Sequence, residues 1–270
     1  MRIVGRSGPA TRISALSFMI IDTHCHLDHP SLLNRLAGVL ASASAAGVGK
    51  IVVPGVSPEG WPGIAALAGG AGAIFPAFGL HPMMAAGYTE SILEDLERFS
   101  SRAVAIGEIG LDYGVPDVSR ADQLSALRGQ LRLAVWLGLP VLLHCRRAFQ
   151  DLLLVLKEER VREVGGVMHA FSGSPEMALE FIRQGLLISV AGTITYGNAV
   201  KPLAVAARVP LQHLTLETDA PDMTPEPHRG RDNEPAFLPI IAEKLAAIKG
   251  IPVDEVAEVT SGNAQRLLRI

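Results

Sequence analysis

Short apolar, β-branched runs alternate with longer stretches of helical periodicity eight times along the chain, and no linker or composition break interrupts them. Strand followed by helix, repeated, demands parallel strands joined by crossover helices, covered on both faces. The strand candidates are 18–23, 50–55, 74–80, 103–108, 140–144, 166–169, 186–191 and 213–218. Several are continuously apolar, as in Val141-Leu142-Leu143, which suits a strand buried on both sides. Helical stretches include 31–46, 90–100, 120–137, 149–159, 175–184, 199–207, 238–249 and 253–268. In the long one, Leu124, Leu127, Leu131, Ala134, Val135 and Leu137 form an apolar stripe, with Arg128 and Arg132 off it. The 270 residues have the length of a (β/α)8 TIM barrel, the fold class this pattern predicts within α/β architecture. A doubly wound open sheet is the second choice.

One domain is expected over 19–270. Residues 1–18 read as an N-terminal extension, disordered or a misassigned start, with Met19 as an alternative beginning. Arg2, Arg6 and Arg12 before the run 13–21 echo a signal peptide only faintly, because no small-residue cleavage site follows. Residues 60–89 contain no Asp, Glu, Lys or Arg, but Pro62, Pro76, Pro82 and repeated glycines break that stretch, so no membrane span is expected. The glycines of 68–72 read as turn residues; they lack the lysine of a phosphate loop.

Composition narrows the function. With 24 Lys+Arg against 27 Asp+Glu and 5% aromatics, the chain lacks the basic, aromatic surface that coats nucleic acid, although a local phosphate site is compatible with it. Cys25 and Cys145 cannot make a secreted-type disulfide framework, so a reducing compartment, the cytoplasm, is expected. Both sit beside metal-competent residues, yet strand alternation turns their sulfurs towards the helix layer.

The metal-competent residues fall at the C-terminal ends of the predicted strands: His24 and His26 at the first, Glu108 at the fourth, His144 at the fifth, His169 at the sixth and Asp219 at the eighth. In a barrel those ends converge on one face. His24 and His26, two apart on an extended segment, share a face and can grip one ion. Imidazole with carboxylate suits zinc, manganese or iron, and cobalt or nickel in vitro, whereas magnesium usually prefers oxygen. Six ligands exceed what one catalytic ion takes, so two divalent ions bridged by a carboxylate use the set better, and hydrolysis is the natural reaction.

Seven motifs in order then resemble one family: Ile-Asp-Thr-His-Cys-His-Leu-Asp at 21–28, Gly-Leu-His-Pro at 79–82, Gly-Glu-Ile-Gly-Leu-Asp-Tyr at 107–113, Leu-Pro-Val-Leu-Leu-His-Cys-Arg at 139–146, His-Ala-Phe-Ser-Gly-Ser at 169–174, Glu-Thr-Asp-Ala-Pro at 217–221 and Arg-Gly-Arg-Asp-Asn-Glu-Pro at 229–235. Over about 19–268 the chain resembles the TatD-type metal-dependent hydrolases, the TatD deoxyribonuclease family of the amidohydrolase-like barrel superfamily. The resemblance implies two divalent ions (zinc, manganese or magnesium), one held by His24, His26, Glu108 and Asp219 and the other by Glu108, His144 and His169. It implies hydrolysis of DNA phosphodiesters, including trimming of strand ends, with Asp219 as general base, His81 on the substrate side, and Arg146 and Arg229 on substrate phosphate. DNA ends or another phosphodiester are thus the expected partner, with no membrane; the oligomeric state is left open, a monomer being compatible with the sequence. An amide or ester hydrolase, or an aminoacyl-tRNA deacylase, would use the same metals; a non-catalytic metal-holding barrel is a third reading. The departures are local: His29 stands where an aromatic is common, and Leu267 or Leu268 where the last helix often has Phe.

Other residues carry less. Asp22 either orients a ligand or ends its strand. Asp112 and Tyr113 read as loop structure, Arg147, His228 and Arg231 as solvated loop charges, and His213 as remote from the site.

Overall fold

The computed structural model describes residues 19–70 and 72–270; the expected N-terminal extension lies outside them. Eight parallel strands follow one another in sequence order: β1 (Ile20–Asp22), β2 (Val48–Pro54), β3 (Ile74–Phe78), β4 (Ala105–Asp112), β5 (Val141–Arg146), β6 (Gly166–Met168), β7 (Leu186–Val190) and β8 (Leu214–Leu216). The last returns to the first just beyond their ends. The Thr23 amide donates to Leu216 O at 3.0 Å, the Asp219 amide to His24 O at 2.9 Å and the His26 amide to Ala220 O at 2.8 Å, with a parallel bridge between Cys25 and Ala220. Asp22 locks this seam, accepting from the Thr218 amide at 2.9 Å and its hydroxyl at 2.6 Å. The expected (β/α)8 barrel is the fold.

The helices are α1 (Pro30–Leu33), α2 (Leu36–Ala45), α3 (Trp61–Gly70), α4 (Glu90–Ser100), α5 (Arg120–Leu137), α6 (Phe149–Glu158), α7 (Pro175–Arg183), α8 (Lys201–Arg208), α9 (Leu238–Lys249) and α10 (Val253–Leu268). Among the described residues, no helix is long and apolar enough to cross a membrane. Four sequence expectations change. The expected helix 31–46 breaks at Asn34–Arg35, where Arg35 leaves helical dihedrals and its guanidinium reaches Glu234 at 2.7 Å. The charge-free segment after residue 60 holds α3, whose Trp61 is buried and donates through Nε1 to Gly79 O at 3.1 Å; Gly69 and Gly70 close this helix instead of making a turn. The eighth strand is shorter than expected, and His213 lies in a 3-10 turn before it. The buried face of α5 includes Gln123 and Gln130, two polar residues outside the apolar stripe.

Strand alternation separates two apolar layers. Ile51, Val53, Val141, Leu143 and Met168 pack in the large cluster shared with the helices. The residues between them, Val52, Leu142 and Val167, join Ala77, Ala105 and Leu268 of α10 in a smaller cluster on the strands' other face, the barrel interior. Continued towards the strand ends, that inner parity includes His144 and His169. In β4 it needs a correction, because Ile106 pairs with Val141 and Ile109 with Leu143, three residues on one strand against two on the other. This bulge lets Ala105 and Glu108 both face inward, and carries Gly110 and Asp112 in behind them.

Here β4 and β5 approach closely. Gly110, with φ of +152°, stands against His144, and a Cβ there would lie 1.9 Å from the His144 carbonyl oxygen. Gly110→Ala is therefore expected to lower stability by about 3 kcal/mol or more, or to prevent folding. Gly63, in α3, has nothing within 4 Å of the place an added methyl would take, so Gly63→Ala is expected to raise stability by roughly 0.5–1 kcal/mol. Urea denaturation midpoints check both, and equal midpoints would contradict the close approach.

Candidate metal centre

Six predicted ligands meet at the C-terminal mouth of the barrel, though not all at strand ends. His24 and His26 follow β1 and His169 follows β6, but Glu108 lies mid-strand, four residues before the end of β4, and His144 two before the end of β5. Both strands run further than expected because their pairing continues to Asp112↔Arg146. Asp219, three residues past β8, has φ of +57°. That left-handed backbone, tolerated by Asp, turns its carboxylate into the mouth. Asn233 supports the turn by donating through Nδ2 to Thr218 O at 2.8 Å and Asp222 O at 2.7 Å.

Glu108, 3% exposed, is the centre of the cluster. Its Oε2 faces His24 Nε2 at 3.3 Å and His26 Nε2 at 3.8 Å. Its Oε1 faces His144 Nδ1 at 2.9 Å, His81 Nε2 at 3.5 Å and His169 Nε2 at 3.8 Å. Asp219 Oδ1 lies 3.8 Å from both His24 and His26 and 3.5 Å from His169. His169 thus stands between the two expected ligand groups, stacked on His24 with ring centres 3.5 Å apart.

These residues fit divalent ions. His24 and His26 aim Nε2 atoms at each other across 3.3 Å, and three overlapping groups each bring ligand atoms within 4.8 Å of one another: His24–His26–Asp219, His24–Glu108–His169 and His81–Glu108–His144. Converging nitrogen and oxygen lone pairs in a buried site need a cation or protons between them. His81 differs from the others. Its Nδ1 accepts from the Met83 amide at 3.2 Å, so the neutral ring carries its proton on Nε2 and presents a donor to Glu108, which suits substrate better than metal.

Two carboxylates missed in the sequence stand behind the ligands. Glu217, fully buried, places Oε1 3.1 Å from His169 Nδ1 and accepts from the Ala170 amide. Asp112, read as loop structure, is buried and lies 3.3 Å from His144 Nε2, while its other oxygen accepts from the Gly114 amide at 2.8 Å. Carboxylate behind imidazole fixes the ring and raises its basicity. Glu217 was findable, since it precedes Asp219 by two on an extended segment; Asp112 was not, because its inward direction depends on the bulge.

Electrostatics follow from burial and this carboxylate supply. Burial alone would raise the Glu108 carboxyl, but His81, His24 and His169 outweigh it and hold it well below the ordinary range. Burial pushes Asp219 up to about 8 against the pull of His169. Burial also opposes charge on His144 and His169, yet hydrogen bonds to Asp112 and Glu108 lift the first to about 9, and Glu217, Asp219 and Glu108 lift the second to about 10. His24 is lowered to about 3 by burial and by His169.

The remaining candidates are peripheral. Arg146 is exposed at the end of β5, 3.9 Å from Asp112. Arg229 is exposed, stacked over Tyr196 at 4.3 Å and 3.7 Å from Glu226. Tyr113 donates to Asp151 at 2.7 Å, and Arg231 and His228 both stack on Phe237. Cys25 and Cys145 are buried free thiols, and burial raises both, the second to about 12, so neither is a ready thiolate.

A family model described as TatD related DNase matches residues 21–269. An uncharacterized metal-dependent hydrolase, YabD of Bacillus subtilis strain 168, is 37% identical over 254 residues, covering 93% of this chain and 100% of that protein. The crystal structure of YjjV, a TatD homolog from Escherichia coli K12, superposes with a TM-score of 0.89 at 38% identity, covering 93% of this chain and 98% of that one. A TatD family hydrolase from Entamoeba histolytica has the same fold, with a TM-score of 0.83 at 23% identity over 93% of this chain and 98% of that one.

The carboxylates behind the ligands and the protons in the cluster can both be probed by metal titration. Glu217→Gln removes the charge behind His169 and is expected to weaken metal affinity about ten- to a hundred-fold, measured by calorimetric titration of the metal-free protein. Metal must also displace the protons that the cluster holds below pH 8 to 10. Zinc or manganese binding is therefore expected to release protons and to tighten as pH rises from about 6 to about 8; affinity independent of pH would contradict the charge assignment.

Proposed function

The chain belongs to the TatD-related DNase family, and on that premise we propose that it is a divalent-metal-dependent hydrolase that cleaves phosphodiester bonds at DNA ends. The observation that carries this reading is the placement of Glu108, whose two oxygens face different sets of histidines, as a carboxylate bridging two ions would. His24, His26, Glu108 and Asp219 would hold one ion, and Glu108, His144 and His169 the other. Zinc or manganese suits this nitrogen-rich set, with magnesium the third candidate. Bound there, such ions polarise a phosphoryl oxygen and lower the pKa of a nearby water.

The chain's own groups do the rest. Asp219 Oδ1, aimed into the cluster by its left-handed backbone, orients the attacking water and accepts its proton. His81 donates a hydrogen bond from Nε2–H to a non-bridging oxygen of the substrate. Arg146, exposed at the end of β5, and Arg229, exposed in the loop after β8, can reach phosphates flanking the scissile bond. Such a local positive field is compatible with a net charge of −3. The reading keeps the protein in the cytoplasm, where Cys25 and Cys145 remain thiols.

Metal-reconstituted protein with 5′-labelled and 3′-labelled single-stranded DNA tests this. Stepwise shortening of one label is expected, with Asp219→Asn and Glu108→Gln each lowering turnover by at least about a thousand-fold. Turnover of a simple diester, amides or aminoacyl-tRNA without DNA cleavage would transfer the same apparatus to another substrate. An Asp219→Asn variant with full metal occupancy and undiminished kcat would remove Asp219 as the base.

A further inference from the structure

Helix α5 carries two glutamines on its buried side, Gln123 and Gln130, exposed by 0% and 1%. They are seven residues apart, two helical turns and about 10 Å along the axis. Each grips a single residue of the barrel mouth by both backbone groups. Gln123 Oε1 accepts from the Asp112 amide at 2.8 Å, and its Nε2 donates to Asp112 O at 2.8 Å. Gln130 Oε1 accepts from the Leu80 amide at 2.7 Å, and its Nε2 donates to Leu80 O at 3.1 Å. Gln130 also donates to Ala126 O at 3.1 Å within its own helix.

The pattern is that of a strand neighbour supplied by side chains. The ladder between β3 and β4 stops at Ala77↔Ala105 and Phe78↔Ile106, and both Leu80 and Asp112 lie beyond it. Their amides and carbonyls are buried with no strand on that side, so they require other partners. An apolar side chain at either position would fill the same space and leave two backbone polar groups unpaired.

What the clips hold is one wall of the metal centre. Leu80 precedes His81, whose ring faces Glu108 Oε1 at 3.5 Å. Asp112 faces His144, which meets the same oxygen at 2.9 Å. The two rings touch edge to face, with centres 4.5 Å apart. Among the described residues, the hydrogen bonds of the two glutamines go to Leu80, Asp112 and Ala126 and none goes to His24, His26 or Asp219. We infer that Gln123 and Gln130 are positioning residues, through which α5 fixes the Asp112–His144 pair and the His81 donor against Glu108. The inference rests on the metal-centre reading for its effect on activity, but its geometric content does not.

The test uses Gln123→Met and Gln130→Met in the full chain, with Asn263→Leu as a control. Asn263 is a buried amide of α10 that donates to Leu211 O at 3.0 Å and Leu214 O at 2.8 Å, where β8 begins, at the end away from the site. In metal-free protein, imidazole NMR signals of His144 are expected to move in Gln123→Met and those of His81 in Gln130→Met, with His24 unmoved in both. In zinc titrations, Gln123→Met should weaken one ion about ten- to a hundred-fold and leave the other within about threefold. Gln130→Met should retain both affinities and lower kcat on bis(p-nitrophenyl) phosphate by about ten- to a hundred-fold. Asn263→Leu should lower the thermal midpoint with none of these changes. If Gln123→Met does not fold, Gln123→Glu, which keeps the oxygen that accepts from the Asp112 amide, serves in its place. Unmoved histidine signals, or equal shifts in Asn263→Leu, would overturn the inference. Failure of the wild-type protein to bind zinc would instead sink the metal-centre reading, and the histidine signals would still decide the role of the glutamines.

Discussion

The inward turn of Glu108 is the constraint on which the site depends. A carboxylate with 3% exposure survives only where enough opposite charge or hydrogen-bond donation surrounds it, and five histidines supply that here. Regular alternation along β4 would have put Glu108 on the same face as Ile106, among the helices. The bulge between Ile106 and Ile109 reverses this, and the glycine at 110 permits it by letting β4 lie against the His144 carbonyl. One irregularity therefore re-aims both Glu108 and Asp112, a common use of bulges beside functional sites.

Concentrating so many ligand atoms in one buried volume costs stability, and the surroundings show how it is offset. Asp22 and Asn233 direct their hydrogen bonds to the segment around Thr218, holding the β8–β1 seam and the left-handed turn at Asp219. Glu217 and Asp112 stand behind imidazoles, giving His169 and His144 a carboxylate partner each. Helix α5 completes the frame on the opposite wall. The mouth is thus held by groups that bond to backbone on one side and to ligands on the other, which restricts motion where geometry decides affinity.

Much of this architecture was legible in order and type. Eight strand-helix repeats predicted the barrel, and α4, α5, α9 and α10 lie where periodicity placed them; in the structure Ser119 caps α5 and Gly138 ends it in the left-handed conformation. The six metal-competent residues were visible because parallel strands in a barrel must bring their C-terminal ends to one face. What failed did so for tertiary reasons. The glycines of 68–72 read as turn residues, but Gly69 and Gly70 end α3, whose poor propensity is offset by burial of Trp61 and its bond to Gly79. The helix 31–46 is interrupted at Asn34–Arg35, where Arg35 leaves helical dihedrals and pairs with Glu234, nearly two hundred residues away.

The sequence by itself determined the chain's period, its parallel topology and the inventory of ligands, because these depend on local hydrophobic spacing and on residue identity. Direction was decided only by the folded barrel. Which way Glu108 and Asp112 point follows from a register shift between two strands, which ring nitrogen His81 presents follows from the Met83 amide, and why α5 buries two glutamines follows from backbone groups left without a strand partner. The first and third are settled by pairings between distant segments, of which local patterning carries no record; the second is a local contact, but its consequence depends on Glu108 being brought opposite the ring.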